Sequence, residues 1–144
     1  MLFRSEQLIV QNNFHCKPTP VSGRVSSVSM SCSHAALVVS DKEVNVCTWG
    51  HGENGALGLE QHLISNLDPS LPTPVTSINC QIKQVACGVD FALMLTMEGL
   101  VYSCGSGAFG KLGHGDEENK PLPTLVRAFC KKCTLLKRVV LSPF

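Results

Sequence analysis

This chain is short of aromatic and charged residues. Of its 144 residues only 6% are Phe, Trp or Tyr, with a single Trp and a single Tyr, and 16% are charged. Twelve Lys and Arg against eleven Asp and Glu leave a net charge of +1. So weak a field does little to attract nucleic acid or an anionic membrane, and it argues against chromatin or DNA contact by this chain. No segment approaches the ~18 consecutive apolar residues of a membrane span. The start, Met1-Leu2-Phe3-Arg4, has neither the apolar run nor the small-residue cleavage site of a secretory signal. These absences predict a cytoplasmic or nuclear protein in a reducing compartment.

What is plentiful is apolar and turn-forming: 44% hydrophobic residues, 12 Gly, 8 Pro and 8 Cys. That composition predicts a folded chain rather than a disordered one. Its organisation is an internal repeat. One copy runs Val28-Ser-Met-Ser-Cys-Ser-His34, an apolar stretch to Val39, Thr48-Trp49-Gly50 and Gly55-Ala56-Leu57-Gly58. The other runs Val85-Ala-Cys-Gly88-Val-Asp-Phe91, an apolar stretch to Thr96, Ser103-Cys104-Gly105 and Gly110-Lys111-Leu112-Gly113. Repeats of this length build solenoids, propellers or arrays. Each copy reads as four short strands: 25–30, 35–40, 43–49 and 74–78, then 81–87, 91–96, 100–104 and 123–126. Glu98-Gly99 supplies the second copy's hairpin, since glycine takes positive φ freely. Four strands per repeat is the plan of a propeller blade, so the expected fold is all-β, an incomplete β-propeller of about two blades.

Pro18-Thr-Pro-Val21, Pro72-Thr-Pro-Val75 and Pro121-Leu-Pro-Thr124 are alike, and residues 136–142 resemble residues 82–88. The expected divisions are therefore an unassigned segment 1–17, the tail of a preceding blade at 18–24, complete repeats at 25–78 and 81–126, and a linker with the start of a third blade at 127–144. Cysteine exchanges with large apolar residues between the copies: Cys87 falls opposite Met30, Cys104 opposite Trp49 and Cys47 opposite Tyr102. This predicts reduced, packed cysteines rather than disulfides.

Several motifs offer chemistry. Gly50-His-Gly52-Glu-Asn-Gly55 and Gly105-Ser-Gly107-Ala-Phe-Gly110 both fit G-x-G-x-x-G, the dinucleotide turn, but poor helix material follows each. Gly105 to Lys111 nearly completes a P-loop, with Leu112 where Ser or Thr must hold magnesium. Appearing twice, these glycines read as turns and Leu57 and Leu112 as packing residues, so no cofactor is expected. Cys130-Lys-Lys-Cys133 is a lone C-x-x-C, which only His114 or Cys104 would complete through the fold, and no metal site is expected. His34 lacks a partner base or nucleophile by spacing, and Phe91 replaces it in the sister copy, so a structural role is expected, as it is for Trp49. No catalytic residue is expected. Asp116-Glu117-Glu118 reads as a solvated loop or a partner contact, and Lys131-Lys132 and Lys137-Arg138 form a small basic tail. Loops 60–70 and 114–120 are the expected partner-facing segments.

The order and spacing of Val85-Ala-Cys-Gly88, Glu98-Gly99, Val101-Tyr-Ser-Cys-Gly105 and Gly110-Lys-Leu-Gly113 resemble the regulator-of-chromosome-condensation repeat over about residues 18–142. Ser31, Phe91 and Lys42-Glu43 depart from it. The resemblance implies seven-bladed propellers that serve as protein-binding modules beside other domains, and in the founding member a chromatin-bound exchange factor for a small GTPase, Ran. Two blades do not close a ring and leave faces and edges open. The expectation is thus a non-enzymatic protein-interaction module, a fragment or truncated product of a larger regulatory protein or one that pairs with another chain. The alternatives are an exchange factor or regulator for a Ran-like GTPase and a truncated product without independent function.

Overall fold

The computed structural model describes residues 23–40, 45–65 and 68–129. Segment 1–17, Pro18 to Val21, the hairpin residues 41–44, Cys130, Cys133 and the strand expected at 136–142 lie outside them. Two four-stranded antiparallel sheets follow one another along the chain. The first contains β1 (Val25–Met30), β2 (His34–Val39), β3 (Val46–Gly50) and β4 (Thr73–Pro74). The second contains β5 (Ile82–Cys87), β6 (Phe91–Thr96), β7 (Val101–Gly105) and β8 (Lys120–Leu125), each sheet ordered as in sequence.

Burial follows from position in the sheet. β2 and β6 carry the most continuous apolar runs and occupy central places, where both faces are covered; all six β2 residues are buried. β1 alternates buried and more exposed residues, as an edge strand with one covered face should. Ser26 and Lys83 each interrupt the register of the first strand pair, so the irregularity is itself repeated.

The outer strands differ from expectation. β4 has only two residues, although Val75 N–H still donates to Val46 O at 3.0 Å before the chain turns away. β8 begins three residues before the expected 123 and tolerates Pro121 and Pro123 because it is an edge. Their register is also offset. Cys47 pairs with Pro74 but its counterpart Tyr102 pairs with Leu125, so Pro72 is structurally equivalent to Pro123 and not to Pro121. Within the expected loop 60–70, the chain forms a single helical turn, α1 (Gln61–Ile64).

The main core lies between the sheets. Ala36, Val38, Val46, Leu57, Leu59, Val75 and Ile78 of the first meet Ile82, Val85, Cys87, Ala92, Met94 and Cys104 of the second. Each large aliphatic buried here contributes roughly 1.5–3 kcal/mol relative to exposure. Polar stitches cross the same seam. Asn45, itself buried, donates to Ile82 O at 2.7 Å and accepts from Ile82 N–H at 3.0 Å. Ser29 Oγ accepts from Cys87 N–H at 2.9 Å and Ser27 Oγ from Val85 N–H at 3.3 Å, satisfying donors that edge strand β5 would otherwise leave unpaired.

None of the five described cysteines is in a disulfide. Cys87 and Cys104 are buried and Cys47 and Cys80 half-buried, but Cys32 is exposed in the turn between β1 and β2, contrary to the packed position expected. Cys87 pairs with Ala92 and Ala92 with Cys104, which sets the two cysteines two strands, about 10 Å, apart and beyond disulfide reach. Burial pushes the Cys87 thiol up to about 11 and that of Cys104 up to about 12, so both are unreactive near neutrality.

Candidate functional site

Antiparallel sheets send their connections alternately to two ends. One end gathers the β1–β2 turn, the long β3–β4 loop with α1, the β5–β6 turn and the β7–β8 loop; the opposite end holds the β6–β7 hairpin and the link from β4 to β5. The loop-rich end is held rigidly. His51 N–H donates to Ser33 O at 2.8 Å, and in the second sheet Ser106 N–H donates to Asp90 O at 2.9 Å. Deeper in, the hydroxyls of Thr48 and Ser103 donate to Leu57 O at 2.8 Å and Leu112 O at 2.9 Å, pinning each glycine-rich loop over its own sheet.

Where the two sheets meet at this end, Ser33, His51, Glu53, Ala56, Val89 and Asp90 line a cleft of about 240 Å³. Ser33 Oγ donates to Val89 O at 2.8 Å and bridges the seam beneath it. Val89 is 57% exposed at the rim. Burial acts to raise the Asp90 pKa, but bonds from Lys111 and Ser106 and the Lys111 charge outweigh it, so the carboxyl stays below its ordinary value. Lys111 Nζ lies 2.7 Å from Asp90 Oδ1 and 5.8 Å from the centre of the Phe91 ring. The site therefore offers an apolar rim beside Glu53 and an Asp90 carboxylate held by Lys111, a surface suited to recognition.

The residues singled out in the sequence fall as follows. Leu57 and Leu112 are buried and Lys111 is committed to Asp90, so the near-P-loop packs its own blade. Each glycine motif itself ends in a single 3-10 turn, Glu53–Gly55 or Ala108–Gly110, where a dinucleotide turn opens a helix. His34 is buried, with Ser31 Oγ at 3.0 Å and Ser33 Oγ at 3.2 Å from Nδ1. Burial lowers its pKa, opposed by the nearby Phe91 main chain and the Asp90 charge; Nε2 itself makes no hydrogen bond among the described residues. Trp49 is buried with Val25, Ala35, Leu37 and Val39. Cys104 is enclosed and its thiol donates to Ala56 O at 3.7 Å, whereas His114 Nε2 is 2.8 Å from Ser103 Oγ, so each is engaged within the fold. No cluster of three metal-ligating side chains occurs among the described residues. The acidic cluster folds back: Lys120 Nζ is 3.2 Å from Asp116 and 3.0 Å from Glu118. The Glu118 N–H and then Lys120 hold the Asp116 carboxyl below its usual range.

Sequence reading missed the cross-blade seam, including Asn45, Ser27 and Ser29, and missed Val89 as a rim residue. The one signal for it was an apolar Val89 inside an otherwise polar turn, Gly88-Val-Asp90.

Two stacked four-stranded blades with their long loops at one end define a β-propeller segment. The chain belongs to the regulator of chromosome condensation (RCC1) repeat family: one profile of that repeat matches residues 45–95 and 98–140 and a second matches residues 82–111. The matched unit starts at β3 of one blade and ends at β6 of the next, so the sequence repeat straddles the blades.

The chain is 43% identical over 96 residues to the secretion-regulating guanine nucleotide exchange factor of Mus musculus, covering 65% of this chain and 20% of that protein. It is 36% identical over 117 residues to the ultraviolet-B receptor UVR8 of Arabidopsis thaliana, covering 78% of this chain and 26% of that protein. The solved structure of Prp20p from Saccharomyces cerevisiae, described with its binding to Gsp1p and histones, superposes with a TM-score of 0.67 at 19% identity, covering 81% of this chain and 29% of Prp20p. The chain thus spans about a fifth of the first and a quarter of the second of these two curated relatives, and the matched stretch is shared by an exchange factor and a receptor. No helix among the described residues is long and apolar enough to cross a membrane.

Proposed function

We propose that the chain acts as a non-enzymatic protein-interaction module and that a protein partner binds the loop-rich end across the Ser33–Asp90 cleft. The observation that carries this reading is the exposed Val89 held rigidly beside Glu53 and Asp90 at a seam to which both blades contribute. Rigid scaffolds commonly present such loops to partners, and an apolar contact ringed by polar groups is the usual make-up of a binding hot spot. On this reading the module works in the cytoplasm or the nucleus. Within this reading the low net charge favours protein over direct DNA contact.

A second reading, regulation of nucleotide exchange on a small GTPase, draws support from the 43% identity to an exchange factor. Two measurements separate the readings. Accelerated nucleotide release from a purified Ran-like GTPase by the full chain supports the second. Co-purification of a partner that Val89→Glu abolishes, with no change in nucleotide release, supports the first. Partner recovery that is indifferent to Val89→Glu contradicts the placement of the surface.

A further inference from the structure

We infer that the Ser33–Asp90 cleft receives a basic side chain, arginine or lysine, from a linear segment of the partner, with an apolar neighbour of that residue seated on Val89. That occupant rests on the reading above, in which the partner binds the loop-rich end. The net charge of +1 is unevenly spread over the chain. Among the described residues, histidines apart, the loops of this end and the first residue of β8 carry seven acidic side chains against two basic ones, a net −5. The acids are Glu53, Glu60, Asp68, Asp90 and Asp116-Glu117-Glu118; the bases are Lys111 and Lys120. The other described charges, Arg24, Lys83, Glu98 and Arg127, leave +2. A field of this sign draws a basic segment toward the loop-rich end and repels an acidic one.

Within that field the cleft holds one uncompensated carboxylate. Asp90 is countered in place, with Lys111 Nζ 2.7 Å from Oδ1 and 2.8 Å from Oδ2. Glu53 is exposed, and its carboxylate makes no ion pair among the described residues. Ala56 and Val89 give the same cleft its apolar wall. A basic side chain matches both features: its aliphatic stem lies on the apolar wall while its cationic head reaches the carboxylate. Volume separates a side chain from a free ligand. The cleft's 240 Å³ falls below the roughly 300–1,000 Å³ of small-molecule sites and leaves room for one long side chain. An acidic residue in that place would meet Glu53 as a like charge, and an apolar one would strip water from Glu53 without pairing it. The two walls are already joined, since Ser33 Oγ donates to Val89 O beneath the cleft at 2.8 Å, so little ordering is needed on binding.

The test selects a random decapeptide library, displayed on phage, against the immobilised full chain. One enriched peptide is then synthesised with a fluorescent label and its binding followed by anisotropy. Enrichment of Arg or Lys beside Leu, Ile, Val or Phe is expected. Glu53→Gln and Val89→Ser in the protein, or Gln for the basic residue of the peptide, should each weaken binding about tenfold, the usual cost of losing an anchoring contact. Added salt should weaken the wild-type complex more than the Glu53→Gln complex, because the variant lacks the ion pair. Glu98→Gln removes the same charge from the opposite hairpin and should leave binding unchanged. All three protein variants alter exposed side chains, and unchanged far-UV spectra confirm their fold. Enriched peptides that are acidic or uncharged yet depend on Val89 would overturn the basic occupant while keeping the loop-rich end as the surface. Peptides indifferent to both Val89→Ser and Glu53→Gln would overturn occupant and surface together. Equal losses from Glu53→Gln and Glu98→Gln, or no enrichment at all, would overturn the proposal as well.

Discussion

At the scale of residues, two departures from the repeat explain each other. Ser31 stands where the second copy has Gly88, and His34 where it has Phe91. A Cβ at Gly88 would overlap the Phe91 ring, while Ser31 accommodates the smaller imidazole and places its Oγ 3.0 Å from Nδ1. Each pair is compatible only within itself. Gly88→Ser alone should therefore cost about 1–3 kcal/mol, and adding Phe91→His should recover most of it, measured by urea unfolding. Sequence comparison reveals both substitutions but not their contact, because the rule joining them is steric.

His34 also predicts a pH response. Its folded pKa lies below the 6.5 of the free side chain, chiefly through burial. The unfolded chain then binds the proton more readily, so the associated stability is complete above 6.5 and is lost as pH falls toward the folded value. The melting temperature should drop between pH 7 and pH 5 (roughly the window in which histidine titrates). A Ser31→Gly/His34→Phe variant, which copies the pair found in the second blade, should flatten this drop. An equal drop in the variant would place the titrating group elsewhere.

Elements were legible in proportion to their burial. The central strands β2, β3, β6 and β7 were visible because buried strands read as apolar runs between turn signals. β4 and β8 were displaced because an edge strand obeys its hydrogen-bond register more than its composition, and Pro-X-Pro occurs in both at different registers. The seam was invisible for a related reason: Ser27, Ser29 and Asn45 are polar residues whose partners lie on another strand about 40 to 60 residues away. Asn45 shows the cost. Asn45→Leu, the residue at the matching position 100, would leave both Ile82 N–H and Ile82 O without a partner in a buried site. A loss of about 2–3 kcal/mol is expected. Trp49, the single tryptophan and buried in the first blade, reports that loss by fluorescence. Since Asn45 touches only the second blade through these bonds, a shift of the Trp49 transition would show that the blades unfold together.

At the scale of the whole molecule, the fold class came from the repeat, since two copies of one pattern demand an architecture that stacks copies. The candidate surface did not, because it is built at the seam by residues from both blades, and a seam has no signature in either copy alone. In the glycine-rich motifs that most resembled nucleotide sites, Leu57 and Leu112 are buried and Lys111 is paired with Asp90. What distinguishes the two ends of the molecule is the length of their loops and the mixed surface of Val89, Glu53 and Asp90 at one of them. The central claim is that partners bind this end. It is tested most directly by placing a photo-crosslinking residue in the full chain in cells, at Val89 in one variant and in another at Met97, which is 63% exposed on the opposite hairpin. A discrete protein adduct from Val89 and none from Met97 is the predicted result; the same adducts from both positions, or adducts from Met97 alone, would contradict the account.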